Sequence, residues 1–261
     1  MLNLVFFKPV KSKIKFMQMI GRGTRLCENI YGPGDHKDGF LIFDYCGNFE
    51  YFNKHPEGTV PKEQGTATQL MFNIRLEILR QLQDARFQVQ DWYQNYYKVT
   101  KDELYQQVSK LKACSNRIQV REEMEYVDHY VNTKVWESLS AVNVKQLQNH
   151  LSKLVDKLGN DDYKMLAFDI CNYVVELSLL KSGTVDNAVN SIKAIRKALK
   201  FLMNEKASVP AVKAKLDLLL KYYDEDFWKN VTVETIEKER KEIRDLMIFC
   251  VIDSGRYIVD I

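Results

Sequence analysis

Glycine and proline are distributed very unevenly along the chain, and this asymmetry constrains the fold more than any other feature of the sequence. Residues 1–65 contain eight of the eleven glycines and four of the five prolines. The remaining residues, 66–261, contain only Gly159, Gly183, Gly255 and Pro210. Because these two residue types are the strongest helix breakers, such a long stretch almost without them predicts a helical domain.

Composition and charge exclude several classes of protein. With 261 residues, 46% of them hydrophobic, the chain is long enough for one or two globular domains and is not disordered. Its net charge of +3 excludes a polybasic or polyacidic protein. The longest apolar run, residues 246–252, falls far short of the roughly 20 residues of a transmembrane helix, and no signal peptide is recognisable. We therefore expect no contact with a membrane.

The five cysteines and four histidines show no pattern of a metal or disulfide site. The cysteines are scattered, odd in number and without CxxC spacing. This usage predicts reduced thiols in a cytoplasmic protein, without a disulfide framework or a zinc site. The histidines have no ligand spacing either, so we expect no metal to be bound by this chain.

The first fifty residues have the pattern strand, helix, strand. Residues 2–7 and 40–45 are typical of strands buried on both faces. Between them, Ser12 is the expected N-cap of a helix whose apolar stripe faces inward. This stripe consists of Ile14, Met17 and Ile20. Two such strands joined through a helix form a parallel βαβ unit, which needs further strands and covering, so we expect a C-terminal fragment of a larger protein.

Periodic apolar residues predict about seven to nine helices after a Pro- and Gly-containing linker. The expected fold is mainly α, with an N-terminal βαβ unit over residues 1–52, a linker at 53–68 and a multi-helix bundle over 69–261. One helix should be central and nearly all apolar, over residues 166–177. Another should carry a long stripe from Val144 to Leu158 and stop at Gly159. The expected starts of four further helices are Asp102, Thr184, Ser208 with Pro210, and Thr232.

One segment, Gln18-Met-Ile-Gly-Arg22-Gly-Thr-Arg25, has residues suited to chemistry. Arg22 and Arg25 are three residues apart at a helix end, and each has five donors on a rigid guanidinium. Gly21 and Gly23 should permit close approach of a ligand, and Gln18 can orient a water or a phosphate oxygen. This favours stabilisation of a transferring phosphoryl group, where an arginine supplied in trans is worth about 10³–10⁵ in rate. The alternative is two surface arginines that stabilise a helix C-terminus.

This segment resembles motif VI of the superfamily-two helicases and translocases. More closely, residues 4–45 resemble the motor (R) subunit of type I restriction enzymes, through LVFFKPVKSKIKFMQMIGRGTRLC, then GPG, then FLIFDY. The similarity of the helical region to the C-terminal domain of EcoEI-like R subunits is weaker. It consists of Phe168-Asp169 and the pattern Glu-x-x-Arg-Lys-Glu-Ile-Arg-Asp-Leu at residues 237–246.

The resemblance implies a fold, an activity and a set of partners. Residues 1–52 would end the second RecA-like helicase domain. Gln18, Gly21, Arg22 and Arg25 would contact ATP, with both arginines as arginine fingers. The parent would be an ATP- and Mg²⁺-dependent type I site-specific deoxyribonuclease that translocates double-stranded DNA. Its helical domain would dock on the modification (methyltransferase) and specificity subunits.

The sequence also lacks parts that such an enzyme requires. It has no GxxxxGK[ST] phosphate loop, no DEAH-type acidic box and no nuclease core of paired carboxylates with a lysine. Lys181-Ser182-Gly183-Thr184 has related letters in the wrong order and is expected to be a turn between helices. We therefore expect this chain alone to bind no cofactor, to hydrolyse no ATP and to cut no DNA.

Other functions and contacts stay open at this stage. The chain could belong to another superfamily-two helicase acting on DNA or RNA, or be a non-enzymatic helical adaptor. The aromatic cluster Trp92, Tyr93, Tyr96 and Tyr97 favours helix packing over base stacking. The basic residues Lys193, Arg196, Lys197 and Lys200 favour a solvated helix face. The lysines at 8, 11, 13 and 15 have no acidic neighbours, and contact between them and nucleic acid stays open.

Overall fold

The computed structural model describes residues 2–56, 66–156 and 162–250. It is mainly helical, with a small parallel sheet near the N-terminus, so the expected mainly-α fold with an N-terminal βαβ unit is confirmed. Backbone contacts divide the chain into two compact units, Met1–Gln64 and Gly65–Ile261.

The N-terminal unit contains two strands and two helices. They are β1 (Asn3–Phe6), α1 (Lys13–Gly23), β2 (Leu41–Asp44) and α2 (Asn48–Lys54). The strands pair in parallel, with Asn3 opposite Leu41 and Phe6 opposite Asp44. Helix α2 extends two residues beyond the domain end expected at residue 52. Asp44 positions its start, since the carboxylate accepts hydrogen bonds from the backbone N–H groups of Cys46 and Phe49.

The expectation that both strands are buried on both faces is wrong for the residues described. Leu4 and Phe6 are buried against Phe16 of α1, with Phe52 of α2 packed on the same cluster. The opposite face is open, and Phe7, Leu41 and Tyr45 are each more than half exposed. In the described residues of this unit, α1 and α2 both pack on the side of the sheet that carries Leu4 and Phe6, which leaves the other side exposed.

The predicted inward face of α1 is wrong for Ile14 and Met17 but confirmed for Ile20. Ile14 and Met17 are 68% and 57% exposed, whereas Phe16 is buried and Met19 and Ile20 pack beside it. The inward residues 16, 19 and 20 still have helical spacing, but the stripe is rotated because the large ring of Phe16 fills the space above β1. Ser12 is the N-cap as expected, and its hydroxyl accepts a hydrogen bond from the backbone N–H of Lys15.

The second unit is a bundle of short and long helices. They are α3 (Ala67–Leu82), α4 (Ala85–Gln88), α5 (Asp91–Ala113), α6 (Ile118–Glu122), α7 (Met124–Tyr130), α8 (Ala141–Gln146), α9 (Tyr163–Ser182), α10 (Val189–Glu205), α11 (Pro210–Lys213), α12 (Leu216–Tyr223), α13 (Glu225–Lys229) and α14 (Val233–Ile243). Short 3₁₀ segments at Thr133–Glu137, Asp186–Ala188 and Arg244–Phe249 and a π turn at Leu147–Leu151 join or extend them. The described residues of this unit thus form twelve α-helices, more than the seven to nine expected after the linker.

Helix α9 is central to the bundle, as predicted. It packs against α3, α10 and α14, and most of its side chains are buried, including polar ones. Asp162 caps its start, and Gly183 ends it with a φ of 75°, in the left-handed region that glycine adopts without strain. Lys181 and Ser182 are still the last two residues of α9, so the predicted turn between helices is confirmed only from Gly183 onward.

Several predicted helix starts are wrong. Asp102 lies in the middle of α5, which begins at Asp91, because no glycine or proline interrupts the aromatic stretch before it. Thr184 does not cap α10, which begins only after a 3₁₀ turn. Helix α11 begins at Pro210 as expected, but its N-cap is Val209. Thr232 caps α14 as predicted, accepting a hydrogen bond from the N–H of Thr235.

The long helix predicted to end at Gly159 is interrupted. Helix α8 ends at Gln146 and is followed by the π turn. The wider turn shifts the spacing at which apolar residues face inward, and Leu147 and Leu151 stay buried. Leu158 and Gly159 lie outside the described residues. The same holds for residues 57–65 of the expected linker, whose predicted end overlaps the first residues of α3.

Candidate functional site

The residues expected to contact ATP gather at the C-terminal end of α1. Gln18, Gly21 and Arg22 lie in the second half of the helix, and Arg25 lies two residues beyond its last residue. All four are exposed. The helix ends because Thr24 closes it, with its N–H bonded to the carbonyl of Ile20 and its hydroxyl to that of Gly21.

The side chains of Gln18, Arg22 and Arg25 are available to a ligand. Within the described part of the chain, none of them forms a hydrogen bond or an ion pair. Residues 1–27 contain six basic side chains and no acidic one, and the first acidic residue of the chain is Glu28, three positions after Arg25. Arg22 lies in the last helical turn, a position that also agrees with the simpler interpretation of a cation near the negative end of the helix dipole.

The two glycines of the motif have different roles. A Cβ atom built on Gly21 would meet nothing within 4 Å, so this position is open to an approaching group. A Cβ atom on Gly23 would lie 2.1 Å from the ring of Phe40. The expectation that both glycines permit ligand approach is therefore wrong for Gly23, which instead allows Phe40 to pack on the helix end.

Lys37 holds the motif in place and was not identified from the sequence. Its ammonium group is buried and donates hydrogen bonds to the carbonyl of Gly23 and, at 2.9 Å, to that of Arg25. The same group lies 5.4 Å from the centre of the Phe40 ring. A buried cation here satisfies carbonyls that the end of α1 leaves unpaired and fixes the backbone of Arg25. A lysine inside a polar loop carries no sequence signal for such a role.

A second constellation lies in the helical unit, where charged side chains from α9 and α14 meet. Arg240 donates to Asp169 at 2.6 Å and to both oxygens of Glu237 at 2.7 and 2.8 Å. Arg244 donates to the other oxygen of Asp169 at 3.0 Å. Asp169 and Arg240 are 71 residues apart in the chain, and the fold brings them together.

Further polar groups from α3 and α5 extend this cluster. Arg75 of α3 contacts Glu103 of α5 and lies over the ring of Tyr173, as Arg240 also does. The hydroxyl of Tyr96 donates to Glu176 at 2.5 Å, and both residues are buried. An isolated charge within an apolar helix pattern, such as Asp169 or Glu176 in α9, is the signal that sequence analysis could have used.

The carboxylates of this cluster titrate differently because their surroundings differ. Burial, and next the charge of Glu237, raise the pKa of Glu176 well above its usual value. Burial also acts to raise the pKa of Glu237, but the hydrogen bonds and positive charges of Arg240 and Lys241 together outweigh burial, and the pKa is lowered. Glu237 is therefore an anion paired with Arg240, while Glu176 favours its neutral form.

The aromatic cluster of α5 serves packing, as predicted. Tyr96 is buried, and its ring lies 5.1 Å from that of Trp92. Tyr93 packs on Phe87, at 5.0 Å between ring centres.

The basic face of α10 is largely solvated. Lys193, Lys197 and Lys200 are exposed, and Arg196 pairs with Glu225 at 2.6 Å. Lys8, Lys11, Lys13 and Lys15 of the N-terminal unit are also exposed, and their contact with nucleic acid stays a prediction.

Among the described residues, no three His, Cys, Asp or Glu side chains lie together in a way that would hold a metal ion. None of the helices in this part of the chain combines the length and apolarity of a membrane span. All five cysteines are free thiols. Comparisons with known protein families, with curated proteins and with solved structures found no match to this chain.

Proposed function

We propose that this chain is part of the cytoplasmic motor (R) subunit of a type I restriction enzyme and that its N-terminal unit supplies arginines to an ATP site. The observation that carries the proposal is the group of exposed side chains Gln18, Arg22 and Arg25 at one helix end, unpaired among the described residues. Lys37 fixes the backbone of this helix end through hydrogen bonds to the carbonyls of Gly23 and Arg25. The helical unit would then dock on the modification and specificity subunits while double-stranded DNA is translocated.

The residues present fit the phosphoryl part of a nucleotide. The guanidinium groups of Arg22 and Arg25 match phosphate oxygens in geometry and charge, and the amide of Gln18 can orient a water. ATP with Mg²⁺ supplies the transferring phosphoryl group. These side chains offer no carboxylate to a metal ion, so the phosphate loop and the Mg²⁺ ligands must come from another segment or subunit.

The arginines would act on the charge of the transferring group. Two cations close to its equatorial oxygens stabilise the transition state more than the ground state, so they raise kcat more than they lower KM. Gly21 has open space above it and would let the nucleotide approach the backbone of α1.

Two ATPase measurements test this proposal. The purified chain should show no DNA-stimulated ATP turnover. In the longest open reading frame that contains it, Arg22→Ala or Arg25→Ala should lower DNA-stimulated kcat by about 10³-fold or more, with little change in KM. Arg22→Lys should not retain the DNA-stimulated kcat, because the ammonium group of lysine lacks the planar set of donors of a guanidinium. Lys54→Ala, a basic residue in the last turn of α2, is the matched control and should retain activity.

The other outcomes separate the remaining functions. Full activity of the Arg22→Ala/Arg25→Ala double variant would overturn the proposal and favour the helical adaptor. Stimulation by RNA instead of double-stranded DNA would favour another superfamily-two helicase. Copurification of the parent with a DNA methyltransferase complex supports the restriction subunit.

A further inference from the structure

A polar cavity of about 250 Å³ opens in the helical unit where α3, α5, α9 and α14 converge. The charged and aromatic side chains that line it include Arg75, Glu103, Asp169, Tyr173, Arg240 and Arg244. Three guanidinium groups, one from α3 and two that lie four residues apart at the end of α14, thus border one small space. Neither the ATP site proposed above nor the docking role of this unit uses these residues.

Arg75 has donors that the protein leaves unused. Its side chain is more than nine-tenths buried, and Nη2 donates to Glu103. Within the described part of the chain, neither Nε nor Nη1 of Arg75 has a hydrogen-bond acceptor. A buried guanidinium strongly favours having its donors satisfied, so these two nitrogens are available to whatever fills the cavity.

The other two arginines are oriented by the protein itself. Arg240 uses its donors on Asp169 and Glu237, and Arg244 donates mainly to Oδ2 of Asp169 and, at 3.4 Å, to Oδ1. Tyr173 fixes the planes of Arg75 and Arg240, whose guanidinium carbons lie 5.6 and 4.8 Å from its ring centre. The cations are therefore preorganised, which reduces the entropy that binding an anion would cost.

The charge around the cavity favours an anionic guest. Among the described residues that line the cavity, four are cations, since Lys241 joins the three arginines, and two are carboxylates, Glu103 and Asp169. Glu237 and Asp245 contact the same cations but do not line the cavity. Asp169 and Glu237 are buried in their ion pairs, but the side chain of Glu103 is 44% exposed. Glu103 is thus the carboxylate that an incoming anion can displace at the lowest cost in free energy.

We propose that this cavity binds a tetrahedral oxyanion of the phosphate type, either inorganic phosphate or the phosphate of a monoester. Arg75 provides the direct hydrogen bonds, Arg240 and Arg244 provide the positive field, and Glu103 competes with the ligand for Arg75. Phosphate suits the site better than a carboxylate does, because it carries more negative charge and more acceptor oxygens, and so gains more from Arg75 and from the positive field of Arg240 and Arg244.

Calorimetric titration of the full chain with potassium phosphate at low ionic strength tests this proposal. We expect saturable binding with a Kd of about 1 mM or tighter. Arg75→Gln should weaken it at least about tenfold. Arg80→Gln, a half-exposed arginine on the same helix that pairs with Glu77, is the matched control and should bind as the wild type does.

Glu103→Gln provides a second test, which does not depend on whether Arg75→Gln folds. Removal of the competing charge should tighten phosphate binding about threefold to tenfold at a partly exposed position.

A nucleoside monophosphate that binds more tightly than inorganic phosphate would identify a monoester as the ligand, and the reverse order would identify free phosphate. Absence of saturable binding, equal binding of acetate, or equal affinity of the Arg75→Gln and Arg80→Gln variants would overturn the proposal. Arg22→Ala/Arg25→Ala should leave this binding unchanged, which separates it from the ATP site.

Discussion

Asp169 and Arg240 form a buried ion pair between the central helix α9 and the last helix α14, with 2.6 Å between Oδ1 and Nη1. Each side chain is less than one-tenth exposed. Arg240 is also held by Glu237 one turn earlier, and Asp169 also accepts from Arg244. Because each of these groups would be costly to bury alone, the pair selects one register of α14 on α9.

Removal of the carboxylate at position 169 should destabilise the fold strongly. Asp169→Ala leaves Arg240 and Arg244 without their shared partner, and we expect a loss of about 3–5 kcal/mol in the free energy of unfolding. Urea denaturation followed by circular dichroism measures this loss. Asp245→Ala, at a 77% exposed carboxylate near Arg244, should change the stability by less than about 0.5 kcal/mol. Equal losses of stability in the two variants would contradict a larger contribution from the buried Asp169–Arg240 pair than from the exposed carboxylate of Asp245.

Glu176 should make the stability of the helical unit fall as the pH rises. Its pKa is raised by burial and then by Glu237, against the opposing effect of Arg240 and Arg75, and the hydroxyl of Tyr96 donates to it. The folded state therefore binds this proton more tightly than the unfolded state does. The contribution of Glu176 is complete below the unfolded pKa of about 4.3 and is lost as the pH rises toward the folded pKa.

The variant Glu176→Gln tests whether Glu176 makes the stability fall as the pH rises. Relative to the wild type, its free energy of unfolding should improve steadily from about pH 4.5 upward, by at most about 1.4 kcal/mol per pH unit. Denaturation curves at several pH values measure the difference. Glu234→Gln, an exposed glutamate in the first turn of α14, should follow the wild type at each pH. Parallel curves for wild type and Glu176→Gln would show that Glu176 keeps an ordinary pKa.

The two glycines of the arginine motif should respond oppositely to alanine. Gly23→Ala places a methyl group against the ring of Phe40, and we expect a loss of about 1–3 kcal/mol in the N-terminal unit. Gly21→Ala, inside α1 with open space around it, should stabilise the helix by about 0.5–1 kcal/mol. Hydrogen exchange of the α1 amides measures both effects. Similar protection in the two variants would exclude close packing of Gly23.

The cysteines should differ widely in reactivity toward an alkylating reagent. Burial raises the pKa of Cys171 to about 12 and that of Cys250 to about 11, whereas Cys27 is exposed. Because the thiolate is the reactive form, we expect fast labelling of Cys27 and slow labelling of the two buried thiols at about pH 8. Mass spectrometry of timed samples gives the rates. In urea all five cysteines should react at similar rates, and rapid labelling of Cys171 in the native protein would contradict its burial.

Local sequence signals were sufficient for much of the architecture. The scarcity of glycine and proline after residue 65 predicted a helical domain, and the apolar run through Leu166, Ile170 and Tyr173 predicted a central helix. Ser12 and Thr232 were recognised as N-caps because capping depends on residues three positions apart. The exposed end of α1 with Arg22 and Arg25 was also predictable, since the motif lies within eight consecutive residues.

Tertiary structure alone decided which groups meet. The ring of Phe16, and not Ile14 or Met17, faces the sheet because only that rotation of α1 fills the space above β1. Asp169 and Arg240 are 71 residues apart in the chain, and no local rule pairs them. Helix periodicity specifies which face of a helix is apolar, whereas the partner of a buried charge depends on how the helices are placed against each other. For that reason the ionic cluster and its cavity emerge only in the folded chain.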